Sequence, residues 1–218
     1  MEILELRLLT KNIIETERFY RDTMGLKKEH QTEKSLCLNI GSSKLIFELI
    51  DTEQTPKYHF AFNIPINKID EAINWTSKRT NLIEVGDKNF VADFENWNAK
   101  AIYFYDNNHN ILEFISRVDL NNFDNRKFSI DTILNINEVG IVTEEPLKIA
   151  REIIKKTNTN FFPKGPKRED FVVVGSDNGL FVISNPKRNW YPTQQKGEKQ
   201  PVKAKIRVAE NIFELQFN

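Results

Sequence analysis

The chain has 218 residues, 39% of them hydrophobic and sixteen of them Phe, enough for one large core or two small ones. Lys plus Arg and Asp plus Glu both number 31, so the net charge is zero and gives no electrostatic footprint for nucleic acid or an anionic membrane. No window holds the roughly eighteen apolar residues of a membrane span. The acidic start Met1-Glu2-Ile3-Leu4-Glu5 lacks the basic region of a signal peptide, so a cytoplasmic protein is expected. One cysteine, Cys37, excludes an intramolecular disulfide. Its neighbours Leu36 and Leu38 point to a buried thiol.

Residues 3–9 read as a strand. Asn12 is placed to cap a helix, with Glu15 three residues on, and Gly25 suits the position after the helix end. Two strands follow, 35–40 and 44–50, joined by the turn Gly41-Ser42-Ser43. In Tyr58–Pro65, large apolar residues at 58, 60, 62 and 64 alternate with His59, Ala61 and Asn63. Period two puts the aromatics on a buried face and His59 on the opposite, open one. A helical pattern through Ile66, Ile69, Ala72, Ile73 and Thr76 comes next, then strands 101–105 and 111–115 about a turn that includes His109. Asn and His tolerate the left-handed conformation such a turn demands.

Residues 119–133 are polar and read as a linker. A third segment opens at Ile136–Val142, with Pro146 starting a helix and a hairpin at 171–184. A long loop holding Arg188, Trp190, Tyr191 and Pro192 precedes a last strand or pair over 202–217; long loops are often lids, and its Trp190 and Tyr191 suit either a cover over the first two segments' pocket or a dimer interface.

Strand, helix and strands thus recur three times, from near residues 3, 57 and 135. Glu5-Leu6, His59-Phe60 and Glu138-Val139 open the segments. Ile46-Phe47-Glu48-Leu49, Ile111-Leu112-Glu113-Phe114 and Ile212-Phe213-Glu214-Leu215 close them. If the first two segments close side by side into one curved sheet, Glu5, Glu48, His59 and Glu113 converge on its inner face with Tyr103. Arg7 shares that face, and an arginine–carboxylate cluster without metal is the competing arrangement. Glu138 and Glu214 read as structural, because no fourth segment completes a second site.

These features resemble the vicinal oxygen chelate superfamily: glyoxalases, fosfomycin-resistance enzymes, extradiol dioxygenases and bleomycin-resistance proteins. The resemblance is carried by Phe19-Tyr20-Arg21-Asp22-Thr23-Met24-Gly25-Leu26, by His59-Phe60-Ala61-Phe62, and by Tyr103-Phe104-Tyr105-Asp106 through Asn110-Ile111-Leu112-Glu113-Phe114. It covers residues 3–116 well and the remainder as one degenerate unit. It implies an α+β fold of repeated βαβββ units, two of them paired into a curved-sheet domain over 1–118, with a third unit over 134–218.

Carried over by position, the resemblance implies Glu5, His59 and Glu113 as metal ligands, and Glu48 as a fourth ligand or the base. Arg7, Asn63, Trp97, Tyr103 and Trp190 are the expected substrate-contacting residues. Three carboxylates and one imidazole suit Mn, Fe(II), Ni or Mg, and zinc as well. The expected function is a metal-dependent lyase, isomerase or transferase acting on a small oxygen-rich or electrophilic metabolite. Dioxygenase chemistry ranks lowest, since only one histidine is available. The alternative is a non-catalytic protein of the bleomycin-resistance type that sequesters a small molecule. A small-molecule ligand is the expected partner, with a homodimer as a candidate assembly.

Overall fold

The computed structural model describes residues 1–218 as an α+β protein: one fourteen-stranded mixed sheet carrying three short helices. No helix is long and apolar enough to cross a membrane. The first segment is β1 (Glu2–Thr10), α1 (Ile13–Glu17), β2 (Lys27–Gln31), β3 (Ser35–Ile40) and β4 (Ser43–Leu49). Asn12 caps α1 as expected, its Oδ1 accepting the N–H groups of Ile14 and Glu15 at 3.1 Å. A π-type turn, Arg18–Thr23, prolongs the helix, and Gly25 at φ +81° turns the chain back.

The second segment is β5 (His59–Ile64), α2 (Ile69–Ser77), β6 (Leu82–Ile83), β7 (Ala92–Phe94), β8 (Ala99–Tyr105) and β9 (Ile111–Arg117). His109 takes φ +59° in the turn between β8 and β9, as its residue type allows. The third is β10 (Asn135–Val142), α3 (Pro146–Thr157), β11 (Phe171–Ser176) and β12 (Gly179–Ser184). A hairpin of β13 (Val202–Val208) and β14 (Asn211–Phe217) ends the chain. In all three segments the opening strand runs parallel to the closing one: β1 with β4, β5 with β9, and β10 with β12.

The strand pairing departs from the expected one. The opening strand of the second segment pairs antiparallel with that of the third, Phe62 opposite Ile136 and Phe60 opposite Val139. The first segment instead takes the terminal hairpin as its neighbour, with Glu2 opposite Arg207 and Arg7 opposite Lys203. The two halves meet where Ile3 stands opposite Ile136. Residues 119–133 are no free linker, because Phe128 is buried against Phe114 and Trp75.

The main core lies between the sheet and its helices. Tyr58, Phe60, Phe62 and Ile64 all enter it, as period two required. Burying a side chain of this size contributes roughly 1.5–3 kcal/mol. The opposite face of β5 is not open. Ala61, Ile111 and Ile115 form a second cluster there with Tyr103, Phe162 and Trp190, so both faces of β5 are buried.

Candidate metal centre

His59 stands at the start of β5 on this second, concave face. Its Nδ1–H donates to the carbonyl of Ile111 at 3.1 Å, which leaves the lone pair of Nε2 facing inward. Glu113 on β9 shares the face, with its Oε2 3.6 Å from Nε2 of His59. That gap is too long for a hydrogen bond. It is close to the roughly 3–3.5 Å that separates two neighbouring ligands of one metal ion with bonds near 2.1 Å.

Glu138 supplies the third group. Ligand atoms of His59, Glu113 and Glu138 all lie within 4.8 Å of one another, and all three residues are buried. Simple alternation would put Glu138 on the core side with Ile136. A β-bulge between Ile136 and Glu138 resets the phase, so Glu138 stands opposite Ala61, on the site face. The bulge also brings Asn137 to Arg117, whose Nε–H donates to Asn137 Oδ1 at 2.9 Å while its Nη2 donates to Glu138 Oε1. Arg117 is fully buried, with its guanidinium 5.4 Å from the ring of Trp97 and 5.7 Å from that of Phe162. Beyond it, Asp177 lies 3.5 Å from Nη1 of Arg117 and is held by Lys164.

The electrostatics follow from burial. Desolvation pushes the imidazole of His59 down to about 4, so it is neutral at pH 7. Burial, reinforced by the charge of Glu138, raises the carboxyl of Glu113 well above the usual range despite Arg117. Burial also raises Glu138, opposed by Arg117. Burial and then the charge of Glu113 push the Tyr103 phenol upward, keeping it a proton-bearing donor. Arg117 pairs with Glu138, and no cation of the protein pairs with Glu113. The donor set of a neutral imidazole nitrogen and two buried carboxyl groups fits a divalent cation.

A cavity of about 280 Å³ opens above the cluster, with His59, Glu113 and Glu138 in its lining. Trp97, Tyr103 and Trp190 line it too, together with Phe94, Phe171 and Tyr191. Of the two places open to the long loop, the structure shows it at this pocket, with the indole of Trp190 5.1 Å from the imidazole of His59.

The other expected site residues lie elsewhere. Arg7 donates to Glu5 at 2.7 Å and to Glu48 at 3.2 Å, and Lys203 donates to Glu48 at 3.3 Å. Glu5 and Arg7 line a separate, charged cleft. This is the arginine–carboxylate cluster that competed with a metal site at Glu5 and Glu48. Asn63 is buried in β5 and does not line the cavity.

Register explains the exchange. His59 stands opposite Ile111 and Ala61 opposite Glu113, whereas Glu5 stands opposite Lys44 and Arg7 opposite Ile46. The place matching Glu113 is therefore Ile46, and Glu48 lies two residues beyond it. In the third segment Glu138 stands opposite Leu180 and Gly140 opposite Val182, so the matching place is Val182 and not Glu214. Sequence reasoning missed Arg117 and treated Glu138 as structural. The alignment of Glu138 with His59 at the segment openings was the signal that could have found it.

No family model matches the sequence, and no curated protein matches it. Solved structures do. A candidate dioxygenase from Bacillus subtilis superposes with a TM-score of 0.63 at 15% identity, over 84% of this chain. The chain spans 63% of that protein's length. Lactoylglutathione lyase from Agrobacterium tumefaciens matches 52% of this chain and 92% of its own, with 18% identity and a TM-score of 0.44. The fosfomycin-resistance protein FosX from Listeria monocytogenes, solved with Mn(II), matches 52% of this chain and 87% of its own, with 18% identity and a TM-score of 0.41. The likeness to the Bacillus subtilis protein shows a shared fold.

Proposed function

We propose that this protein is a glyoxalase-like, divalent-metal-dependent enzyme that acts on a small oxygen-bearing molecule in the cavity above His59, Glu113 and Glu138. The observation that carries the reading is the convergence of these three buried side chains in the lining of one aromatic-walled pocket. The three strand–helix–strand segments are read as repeats of one βαβββ unit, the second and third closing around the site.

In this reading Nε2 of His59 and one oxygen from each of Glu113 and Glu138 hold the metal. Imidazole and carboxylate donors suit Mn, Fe(II), Ni or Zn, and Mg less well because of the nitrogen. A bound divalent ion would supply a Lewis acid for neighbouring substrate oxygens and for an oxyanion that develops on them. Arg117 occupies Oε1 of Glu138, which would leave Oε2 for a metal. It also offsets one carboxylate charge, so a divalent complex here would stay cationic. The phenol of Tyr103 keeps its proton and directs it toward Glu113, while Trp97 and Trp190 wall the cavity. The test is metal analysis of chelator-stripped protein reloaded with Mn, Fe, Ni, Zn or Mg. One ion per chain and a raised melting temperature are expected, both lost in Glu113→Gln. No uptake and no shift with any of the five would sink the reading.

A second reading, a non-catalytic binder, draws support from the same aromatic walls and from the pairing of Glu138 with Arg117, which needs no ion. Ligand binding unaffected by metal, with no turnover in its presence, would favour it.

A further inference from the structure

We infer that the cavity takes an aromatic carboxylate, its ring held between the aromatic walls and its anionic group on the guanidinium of Arg188. The inference rests on the reading of this cavity as the substrate pocket and not on the metal. Size comes first. An apolar cavity of about 150 Å³ suffices for benzene, so about 280 Å³ admits one ring with its substituents. Shape comes second. Phe94, Trp97, Tyr103, Phe171, Trp190 and Tyr191 present planar faces and edges that match a flat ligand better than a branched one.

Charge decides the substituent. Arg188 is the one cation in the cavity lining. Its Nη1 donates to Asp170 at 2.7 Å, but Nε is shielded from water and donates to nothing. Asp170 is shared with Arg168, whose Nε lies 3.4 Å away, so it neutralises neither guanidinium fully. Arg188 also lies with its guanidinium 4.9 Å from the ring of Phe171, in line with the aromatic wall. With Nε shielded and Nη1 on Asp170, Nη2 is the nitrogen left to donate, and a charge-assisted hydrogen bond from it suits a carboxylate oxygen. The acceptor oxygens of Glu113 and Glu138 offer a carboxylate no donor at their end of the cavity, which leaves Arg188 as the place for it. Backbone hydrogen bonds hold the loop in this position, with the Gly197 N–H donating to the Arg188 carbonyl at 3.1 Å and the Trp190 N–H to the Gln195 carbonyl at 2.8 Å.

Metal-stripped protein, kept in chelator, is titrated with benzoate, benzamide and acetate and followed by calorimetry and Trp fluorescence. Benzoate is expected to bind at least about tenfold more tightly than benzamide, and acetate not measurably. Arg188→Met should bring benzoate down to the benzamide level without changing benzamide itself, and Arg188→Lys should restore part of the difference. Asp170→Asn, which frees Nη1, should tighten benzoate binding and keeps the test open if Arg188→Met fails to fold. Equal affinity for benzoate and benzamide, no binding of either, or an unchanged preference for benzoate in Arg188→Met would overturn the inference. Metal uptake is measured separately on the same samples, so a protein that binds benzoate but no metal overturns only the metal reading.

Discussion

Gly140 and Trp190 occupy one space. A β-carbon at residue 140 would lie 2.7 Å from Cη2 of the Trp190 indole, so the cover of the pocket closes only over glycine. Gly140 stands two residues beyond Glu138 on β10, on the same face. The strand that presents the carboxylate also makes room for the ring that shields it.

Gly140→Ala therefore expels the indole. The variant is expected to lose about 1–3 kcal/mol of stability, with red-shifted Trp emission as Trp190 meets water. Urea unfolding with emission spectra, read beside Trp190→Phe, checks this. An unshifted spectrum at wild-type stability would show that the ring stays seated.

Arg117→Met leaves Glu138 buried without its cation. Breaking a buried pair from one side costs about 3–5 kcal/mol. The double variant Arg117→Met/Glu138→Gln should recover much of that loss, because neither charge then remains. Urea denaturation of metal-free protein gives both values. A single variant within about 1 kcal/mol of wild type would contradict the pairing.

Acid should weaken the fold through His59. Burial depresses its folded pKa to about 4, against 6.5 for the free side chain. The neutral imidazole then contributes stability that is fully present above about pH 6.5 and lost as pH falls toward 4, about 3 kcal/mol in all. Glu113 acts in the opposite sense: its raised pKa costs stability at neutral pH, and protonation in acid relieves the cost. The difference between wild type and His59→Gln isolates the histidine. Unfolding curves measured in chelator from pH 7.5 to 4.5 should converge as pH falls, and parallel curves would refute the account.

Glu48→Gln should change little. Its partners Arg7 and Lys203 are partly exposed, and such pairs contribute about 0–1 kcal/mol. Metal content per chain should match wild type, whereas Glu138→Gln should lower it. Loss of metal in Glu48→Gln would mean that the first segment also takes part in the site.

What the residues alone determined was the side of each strand. Period two in Tyr58–Pro65 and Ile111–Ile115 placed His59 and Glu113 together, with Tyr103 opposite Glu113 across the turn, and the β8–β9 pairing has this register. The aromatic-rich sequence after Arg188 left a cover and a dimer contact equally open, and only the tertiary structure brings Trp190 and Tyr191 to the cavity lining. The place of Glu138 was a tertiary decision. Local spacing cannot say which opening strand lies beside β5, because β1 and β10 offer similar apolar faces to it. Nor can it show a bulge, which adds one residue without any change of composition and turns Glu138 from the core to the cavity. Matching the closing strands by their glutamates slipped the first segment by two residues, one full strand repeat, a shift to which alternation is blind. Only the hydrogen-bonded register separates Glu48, tied to Arg7 and Lys203, from Glu113, buried beside His59.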